Sequence, residues 1–311
     1  MSGDCEMVVT GAQGFIGRAL LDRLASEGVT GVVGIDRSDF DLAEPDVTRR
    51  HLAALAPRTI VHLAASLRRD PSPESHRAQW RDTFAAGRNV IEAAAEIGVS
   101  HLLCAGSADE FGDQEGIVGP GVPARPITVY GLCKSLLREI ADFHARGSTM
   151  RVDWFRPFHV YGPGQRGSSV IAYAFEAVTA DVVAEFTDGA QSRDFTYVDD
   201  VVDWLIAGLR SPAGDGHTGG LAIHHLGTGV ATPIRDVLAA IAAEFPSSRF
   251  DLGVRPRRPG EPDCQIAPPP AQSADAQWRW TPRISLAEGL DRTAEWWRAG
   301  ALVGTEAPHA S

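Results

Sequence analysis

Short apolar runs alternate with longer amphipathic segments through the first half of the chain. The apolar runs predict strands at 7–10, 32–35, 60–63, 102–105 and 152–155. The segments between them predict helices from the end of a glycine-rich turn to about residue 27, near residue 53, and at 84–97 and 130–145. Strands that alternate with helices are typical of parallel βαβ units, so the pattern predicts an α/β fold with a doubly wound parallel sheet.

Composition narrows the class of protein. With 311 residues, of which 44% are hydrophobic, the chain is long enough to bury a large core. A net charge of -11 argues against non-specific nucleic-acid binding, and no apolar run reaches membrane-spanning length. The amino terminus shows no signal-peptide pattern. The four cysteines have neither metal-ligand spacing nor a disulfide framework, so we expect reduced thiols, no bound metal and a cytosolic location.

One residue stands out by its rarity. Among 29 basic residues, Lys134 is the only lysine, so we expect this position to need something that arginine does not supply. It follows Tyr130 by four residues, which places both side chains on one face of the predicted helix. An ammonium beside a phenol favours the phenolate and brings the hydroxyl toward use as an acid or base. The alternative is an ordinary solvated Tyr/Lys pair.

A glycine-rich turn links the first predicted strand to the first helix. Gly11, Gly14 and Gly17 allow a tight turn and a close approach of the backbone to a pyrophosphate at the helix amino terminus. Asp36 follows at the end of the second strand, where an acid binds the ribose hydroxyls of a dinucleotide. Asp36 should repel a 2′-phosphate whereas Arg37 should attract one, so NAD is expected as the cofactor and NADP stays open.

These motifs together carry a family resemblance. Gly11-x-x-Gly14-x-x-Gly17, Asp36, His62-Leu63-Ala64-Ala65, Ser107 and Tyr130-x-x-x-Lys134 resemble the extended short-chain dehydrogenases/reductases, in the branch of NAD-dependent epimerases and dehydratases that act on nucleotide sugars. The second half adds the segments 156–165, 193–200 and 258–261, so the resemblance covers nearly the whole chain.

The resemblance implies a domain organisation. A Rossmann domain is expected over 1–163, with 190–227 returning to it. A smaller, discontinuous C-terminal lobe that binds the substrate is expected at 164–189 and 228–311, where glycine-rich and proline-rich stretches interrupt shorter elements. The family also implies a homodimer, formed through a four-helix bundle of the helices at 84–97 and 130–145.

The resemblance further implies roles for individual residues. Ser107, Tyr130 and Lys134 would be catalytic. The cofactor would be bound by Gly11, Gly14, Phe15, Ile16, Gly17, Asp36, Arg37, Asp41, Leu42, Leu63, Ala64, Ala65, Tyr130, Lys134 and Pro157. The nucleoside-diphosphate sugar would be bound by Ser107, His159, Glu185, Phe186, Arg193 and Arg258, the two arginines on its diphosphate. His159 and Thr83 depart from the family, since each stands where relatives often have asparagine.

The expected reaction is an NAD(P)-dependent hydride exchange at C4 of a nucleotide-linked hexose, by a 4-epimerase or a 4-keto-sugar reductase. The alternative enzyme is a 4,6-dehydratase that uses Asp109 as acid or base, although Ala108 occupies the position of its usual partner. From another class, the chain would be a non-catalytic NAD(P)-binding sensor. The intact set of Ser107, Tyr130 and Lys134 argues against the sensor, which needs no tuned phenol.

Overall fold

The computed structural model describes residues 5–66, 68, 70–167, 169–211, 219–270 and 280–302. Its strands are β1 (Met7–Thr10), β2 (Val32–Ile35), β3 (Thr59–His62), β4 (His101–Ala105), β5 (Gly116–Ile117), β6 (Arg151–Pro157), β7 (His159–Tyr161), β8 (Val183–Glu185), β9 (Ser192–Arg193), β10 (Phe195–Tyr197), β11 (Gly220–Leu226), β12 (Thr232–Pro233), β13 (Arg249–Asp251) and β14 (Cys264–Ile266).

The helices are α1 (Phe15–Ser26), α2 (Pro45–Leu55), α3 (Pro73–Ala78), α4 (Ala86–Ile97), α5 (Val129–Arg146), α6 (Val170–Ala180), α7 (Val198–Arg210), α8 (Ile234–Glu244) and α9 (Leu286–Leu302). A π-helical turn, Gln79–Ala85, joins α3 to α4, and a short 3₁₀ turn, Ala108–Glu110, follows β4.

Six strands form one parallel sheet in the order β11-β6-β4-β3-β1-β2, which confirms the predicted fold class. The chain leaves β1 toward β2 on one side and returns to β3 on the other. The order of strands therefore reverses between β1 and β3, and ligands of such sheets bind beyond the carboxyl ends of the strands at this point. The glycine turn, the loop after β3 and the loop after β4 all lie at that edge.

Alternate residues of the inner strands face the two layers of helices, as the two-residue period of a strand requires. Val8 and Ile60 are fully buried in a core with α2, α4 and α5. Val9 and Val61 are fully buried in a core with α1 and α7. Because both faces are covered, these strands read as continuous apolar runs in the sequence.

A buried carboxylate ties three strands of this sheet together. Asp153 of β6 lies 2.6 Å from His101 Nε2 of β4, 2.9 Å from His224 Nε2 of β11 and 2.8 Å from Arg151 Nε. Burial alone raises the pKa of Asp153, but the contacts with His101, His224 and Arg151 hold that pKa well below its usual range. The carboxylate therefore stays charged and pins the edge strand β11 to its neighbours.

The smaller elements of the second half surround an aromatic core. Phe175 of α6, Trp297 of α9 and Tyr161 of β7 are buried there, with Val237 and Ile241 of α8. Three small sheets, β10-β7, β12-β9-β14-β5 and β13-β8, lie outside the six-stranded sheet, and β8 and β10 contribute to this aromatic core. β9 pairs with β12 and β14, whereas β11 and α7 belong to the central sheet and its helical layer. The predicted domain boundaries stay a prediction.

Two predicted elements differ in detail. The third strand ends at His62, so Leu63 begins the following loop. The helix expected at 84–97 starts earlier, because Gln79–Ala85 forms the π-helical turn ahead of α4. Polar side chains of that turn bind the loop after β3: Thr83 Oγ1 accepts from Ser66 N at 2.9 Å, and Gln79 Nε2 donates to Ser66 O at 3.3 Å. Sequence periodicity does not predict these contacts, because they join the turn to a loop that is distant along the chain.

All four cysteines are free thiols, and the expected cytosolic location stays a prediction. Within the part of the chain that the structure describes, none of the helices combines the length and apolarity needed to cross a bilayer. The same residues hold no group of three or more histidine, cysteine, aspartate or glutamate side chains arranged to bind a metal ion.

Candidate active site and cofactor cradle

The glycine turn forms a cradle that side chains would fill. Gly11 has a φ of 73° and packs so closely on the loop after β3 that a Cβ would lie 2.8 Å from Ala64 N. A Cβ on Gly17 would lie 2.2 Å from the Gly11 carbonyl oxygen. Gly14 is the N-cap of α1 and provides no side-chain cap, so the first N–H groups of the helix are left for an anion. The cradle fits the pyrophosphate of NAD.

Several predicted cofactor contacts surround this cradle. Phe15 and Ile16 begin α1 and are half-buried, with their backbone at the helix amino terminus. Leu63, Ala64 and Ala65 form the half-buried loop after β3, facing Gly11. Pro157 ends β6 at the same edge of the sheet. The structure thus brings together the predicted backbone contacts of the dinucleotide.

Asp36 is held in place at the end of β2. Its Oδ2 accepts from Gln13 N in the glycine turn at 2.9 Å, and its Oδ1 accepts from Arg37 N at 2.6 Å. The carboxylate thereby lies beside the cradle, as ribose binding requires. Asp41 accepts from Ala43 N at 2.9 Å, and Leu42 is buried, so the loop carries its predicted adenosine contacts on a fixed backbone.

Lys134 is almost completely buried. Its side chain reaches from α5 to the end of β4, where Nζ donates to the Ala105 carbonyl oxygen at 2.7 Å. The ammonium nitrogen lies 5.7 Å from the centre of the Tyr130 ring, and Tyr130 is itself only 8% exposed. The Thr128 side chain caps α5 by accepting from Gly131 N at 3.0 Å, which fixes the helix start directly before Tyr130.

Two titratable side chains near the buried ammonium are uncharged at neutral pH. Burial, with Lys134 close by, lowers the pKa of His62 to about 3, so this histidine is neutral. Its Nδ1 is hydrogen-bonded to Thr10 Oγ1 at 2.7 Å. Burial raises the pKa of the Cys133 thiol to about 11, despite the opposing effect of Lys134. Neither side chain supplies a charge that competes with the ammonium at neutral pH.

Ser107 begins the 3₁₀ turn after β4. Its Oγ accepts from Asp109 N at 3.1 Å, while its backbone N donates to Glu110 Oε1 at 3.1 Å, so the turn has a complete capping box. The serine follows Ala105 by two residues, and Ala105 is the residue that binds Lys134. The same strand end therefore holds both the serine and the lysine.

Glu110 is a residue of the site to which the sequence alone assigned no role. It is fully buried, and it accepts from Trp154 Nε1 at 2.9 Å and from Arg156 at 3.0 and 2.7 Å. The Arg156 guanidinium lies 4.7 Å from the centre of the Phe111 ring. A charged residue next to an aromatic one after a buried strand was the available signal, but its partners on β6 lie more than forty positions away.

The two predicted diphosphate arginines lie close together but differ in environment. Arg193 is buried and donates to Ser192 O at 2.8 Å, Pro262 O at 2.9 Å and Glu261 Oε1 at 2.8 Å. Burial lowers the pKa of Arg193, and the negative charge of Glu261 partly offsets this decrease. The side chain of Arg258 is exposed and takes part in no ion pair among the described residues, while its backbone N donates to Glu261 Oε2 at 3.3 Å. Glu261 therefore bridges the two arginines, a link that the sequence analysis did not anticipate.

The remaining predicted substrate contacts are spread over the second half. His159 starts β7 and packs edge-on against Phe195 at 5.7 Å between ring centres. Glu185 is exposed at the end of β8, 3.8 Å from Arg255. Phe186 is buried and packs edge-on against Tyr173 and Phe250. Thr83, the other departure from the family, is used inside the fold by the loop after β3.

Comparison with known proteins agrees with this geometry. The model of the NAD dependent epimerase/dehydratase family matches residues 7–222. A UDP-glucose 4-epimerase of Mycolicibacterium smegmatis is 29% identical over 316 aligned positions, which cover 94% of this chain and 98% of that protein.

Solved structures are similar over the same extent. MoeE5, solved in complex with UDP-glucuronic acid and NAD, superposes with a TM-score of 0.83 at 28% identity, covering 95% of this chain and 99% of the other. TunA, an NAD-dependent NDP-hexosamine 5,6-dehydratase of tunicamycin biosynthesis, has a TM-score of 0.79 at 25% identity, covering 94% and 98%.

The predicted family is confirmed, and NAD is the cofactor after which it is named. With its family match spanning more than half of its length, its glycine cradle and its buried tyrosine and lysine, the chain belongs to the NAD dependent epimerase/dehydratase family.

Proposed function

We propose that this enzyme is a 4-epimerase of a UDP-linked hexose, with Tyr130 as the acid/base, Lys134 as its electrostatic partner and Ser107 as the second contact of the sugar oxygen. The observation that carries the proposal is the joint placement of Lys134 and Ser107 at the end of β4, beside Tyr130 and the glycine cradle. The UDP moiety is proposed because the M. smegmatis relative and MoeE5 act on or bind UDP sugars.

The residues divide the work as follows. Tyr130 accepts the proton of the C4 hydroxyl and later returns it, while Ser107 holds the same oxygen by a hydrogen bond. When bound, NAD supplies the hydride acceptor for C4. The Lys134 ammonium stabilises negative charge on the tyrosine oxygen, and burial strengthens this effect because little water screens it. Arg258 and Arg193 bind the diphosphate, which anchors the nucleotide while the sugar presents either face.

The surroundings of Ser107 favour epimerisation over dehydration. A dehydratase must remove a proton next to a carbonyl and protonate a leaving hydroxyl, so it needs carboxyl groups near the sugar in addition to the tyrosine. Glu110 is buried and bound by Trp154 and Arg156, and position 108 is alanine. Asp109 is the remaining acid of the turn.

The first prediction tests the reaction itself. Incubated with UDP-glucose or UDP-glucuronate and no added cofactor, the protein should yield the C4 epimer without change of mass, as measured by ion-exchange chromatography, mass spectrometry and proton NMR. Asp109→Asn should keep at least a tenth of that activity, because hydride exchange at C4 needs no acid or base at this position. Loss of a general acid or base would instead lower the rate by roughly a hundredfold. A product lighter than the substrate by one water molecule would establish the dehydratase. Turnover that requires stoichiometric NADH would establish the reductase.

The second prediction concerns the lone lysine. Lys134→Arg should lower kcat by about a hundredfold or more, because a planar guanidinium does not fit a pocket shaped around one 2.7 Å contact with Ala105 O. The control is Arg146→Lys, the reverse exchange at the exposed last residue of α5, and this variant should keep full activity. If Lys134→Arg turns over normally with an unchanged melting temperature, the position does not require lysine.

The third prediction concerns the exposed arginine. Arg258→Ala should weaken binding of the UDP sugar by at least about tenfold, since a charge-assisted contact is worth ~1.5–3 kcal/mol. Binding of NAD should change less. Arg298→Ala, at an exposed arginine of α9 that pairs with Glu244, is the matched control.

Arg193→Ala should also weaken substrate binding, with an added loss of stability because Glu261 would be left without its ion-pair partner. Calorimetry showing equal substrate affinity in Arg258→Ala and the control would remove Arg258 from the site.

We also propose that the enzyme is a homodimer formed through α4 and α5. Leu132, Leu136 and Phe143 recur on one stripe of α5 and are 37%, 37% and 70% exposed, and Trp80 of the π-helical turn is 42% exposed. Large apolar side chains in one stripe indicate an interface. The same two helices of a second copy are a suitable occupant, because a twofold axis makes such a stripe face itself.

The fourth prediction tests this assembly by light scattering at micromolar concentration. The unmodified protein should have the mass of a dimer, and Phe143→Glu combined with Leu136→Glu should have the mass of a monomer. Val254→Glu, at another exposed apolar position outside α5, should remain a dimer. A monomeric unmodified protein would exclude the proposed interface.

A further inference from the structure

Four charged residues form an alternating chain of ion pairs beside the adenosine end of the cofactor cradle. Arg37 Nη2 lies 2.9 Å from Asp82 Oδ2, and Arg81 Nη1 lies 2.8 Å from Asp82 Oδ1. Arg81 also donates to Asp41. Asp82 is the central member, since it contacts both arginines, and its side chain is only 17% exposed.

The chain of ion pairs connects two elements on opposite sides of the expected ribose position. Arg37 and Asp41 belong to the loop after β2, which Asp36 fastens to the glycine turn. Arg81 and Asp82 belong to the π-helical turn, which Thr83 fastens to the loop after β3. Both loops follow strands that flank β1, so the ion pairs lie where a dinucleotide places its adenosine.

The pairing has a consequence for the choice of cofactor. Arg37 is the group next to Asp36 that would bind the 2′-phosphate of NADP, because guanidinium and phosphate form paired hydrogen bonds. Because the Asp82 carboxylate forms an ion pair with Arg37, the charge of this guanidinium is already compensated. Around this position the four carboxylates of Asp36, Asp39, Asp41 and Asp82 face two guanidinium groups, which leaves an excess of negative charge. A 2′-phosphate would have to displace one carboxylate and meet the repulsion of the others.

We propose that Asp82 is a specificity-determining residue for the cofactor, which withholds Arg37 from a 2′-phosphate and so restricts the protein to NAD. Asp36 supplies the ribose contact, and Asp82 occupies the guanidinium of Arg37, which would otherwise favour NADP. The proposal concerns cofactor binding and does not depend on which sugar reaction the enzyme performs.

The test is calorimetric titration of nucleotide-free protein with NAD⁺ and with NADP⁺. Asp82→Asn keeps the size of the side chain and removes its charge. It should tighten NADP⁺ binding by roughly fivefold, the upper range for one exposed ion pair, and leave NAD⁺ binding within about twofold. The gain should shrink at high salt, because exposed charges are screened.

Two controls separate this effect from general charge and from structural damage. Asp46→Asn removes an exposed aspartate of α2 that pairs with Arg49, and it should leave both affinities unchanged. Arg37→Ala in the Asp82→Asn background should abolish the gain, whereas Arg37→Ala alone should change NADP⁺ affinity by less than about twofold. Equal NADP⁺ affinity in Asp82→Asn and Asp46→Asn would overturn the proposal. A loss of NADP⁺ binding in Arg37→Ala alone would also overturn it, because Arg37 would then bind phosphate despite Asp82.

Discussion

The site depends on the burial of a single ammonium group. Removing a charge from water costs several kcal/mol unless polar groups replace the solvent. Here the carbonyl of Ala105 takes that role for Lys134, at the end of β4, where Ala105 still pairs with Phe155 of β6 but the ladder with β3 has already ended. This contact joins α5 to the end of β4, while the buried face of α5 packs in the core and the Thr128 cap fixes the helix start beside Tyr130.

A second buried charge supports the first. Glu110 closes the turn that begins at Ser107, and Arg156 and Trp154 of β6 bind its two oxygens. A buried ion pair with full hydrogen bonding adds little net stability, but losing one partner is costly. Its contribution is therefore best understood as orientation: Glu110 holds the backbone N of Ser107 while Asp109 N donates to Ser107 Oγ, so the turn that carries the serine is fixed.

The substrate side has the opposite design. Glu261 joins Arg193 to the backbone of Arg258, so one guanidinium is committed to the protein and the other is left in solvent. A buried, hydrogen-bonded guanidinium next to an exposed one is the arrangement on which the proposed binding of two adjacent phosphates rests. On the cofactor side Asp82 commits Arg37 in a similar way. Pairing with carboxylates thus decides which arginines remain available.

The sequence alone determined the alternation of strands and helices and the glycine turn, and it singled out Lys134, because apolar period, glycine spacing and the scarcity of lysine are local or compositional signals. Only the tertiary structure decided what Glu110, Glu261 and Asp82 do. The arginines that decide this, Arg156, Arg193 and Arg37, lie 46, 68 and 45 positions away along the chain. Whether a charged side chain faces solvent or a partner depends on how strands and loops are brought together. A one-dimensional pattern carries no record of that arrangement, whereas the period that buries a strand is written along the chain itself.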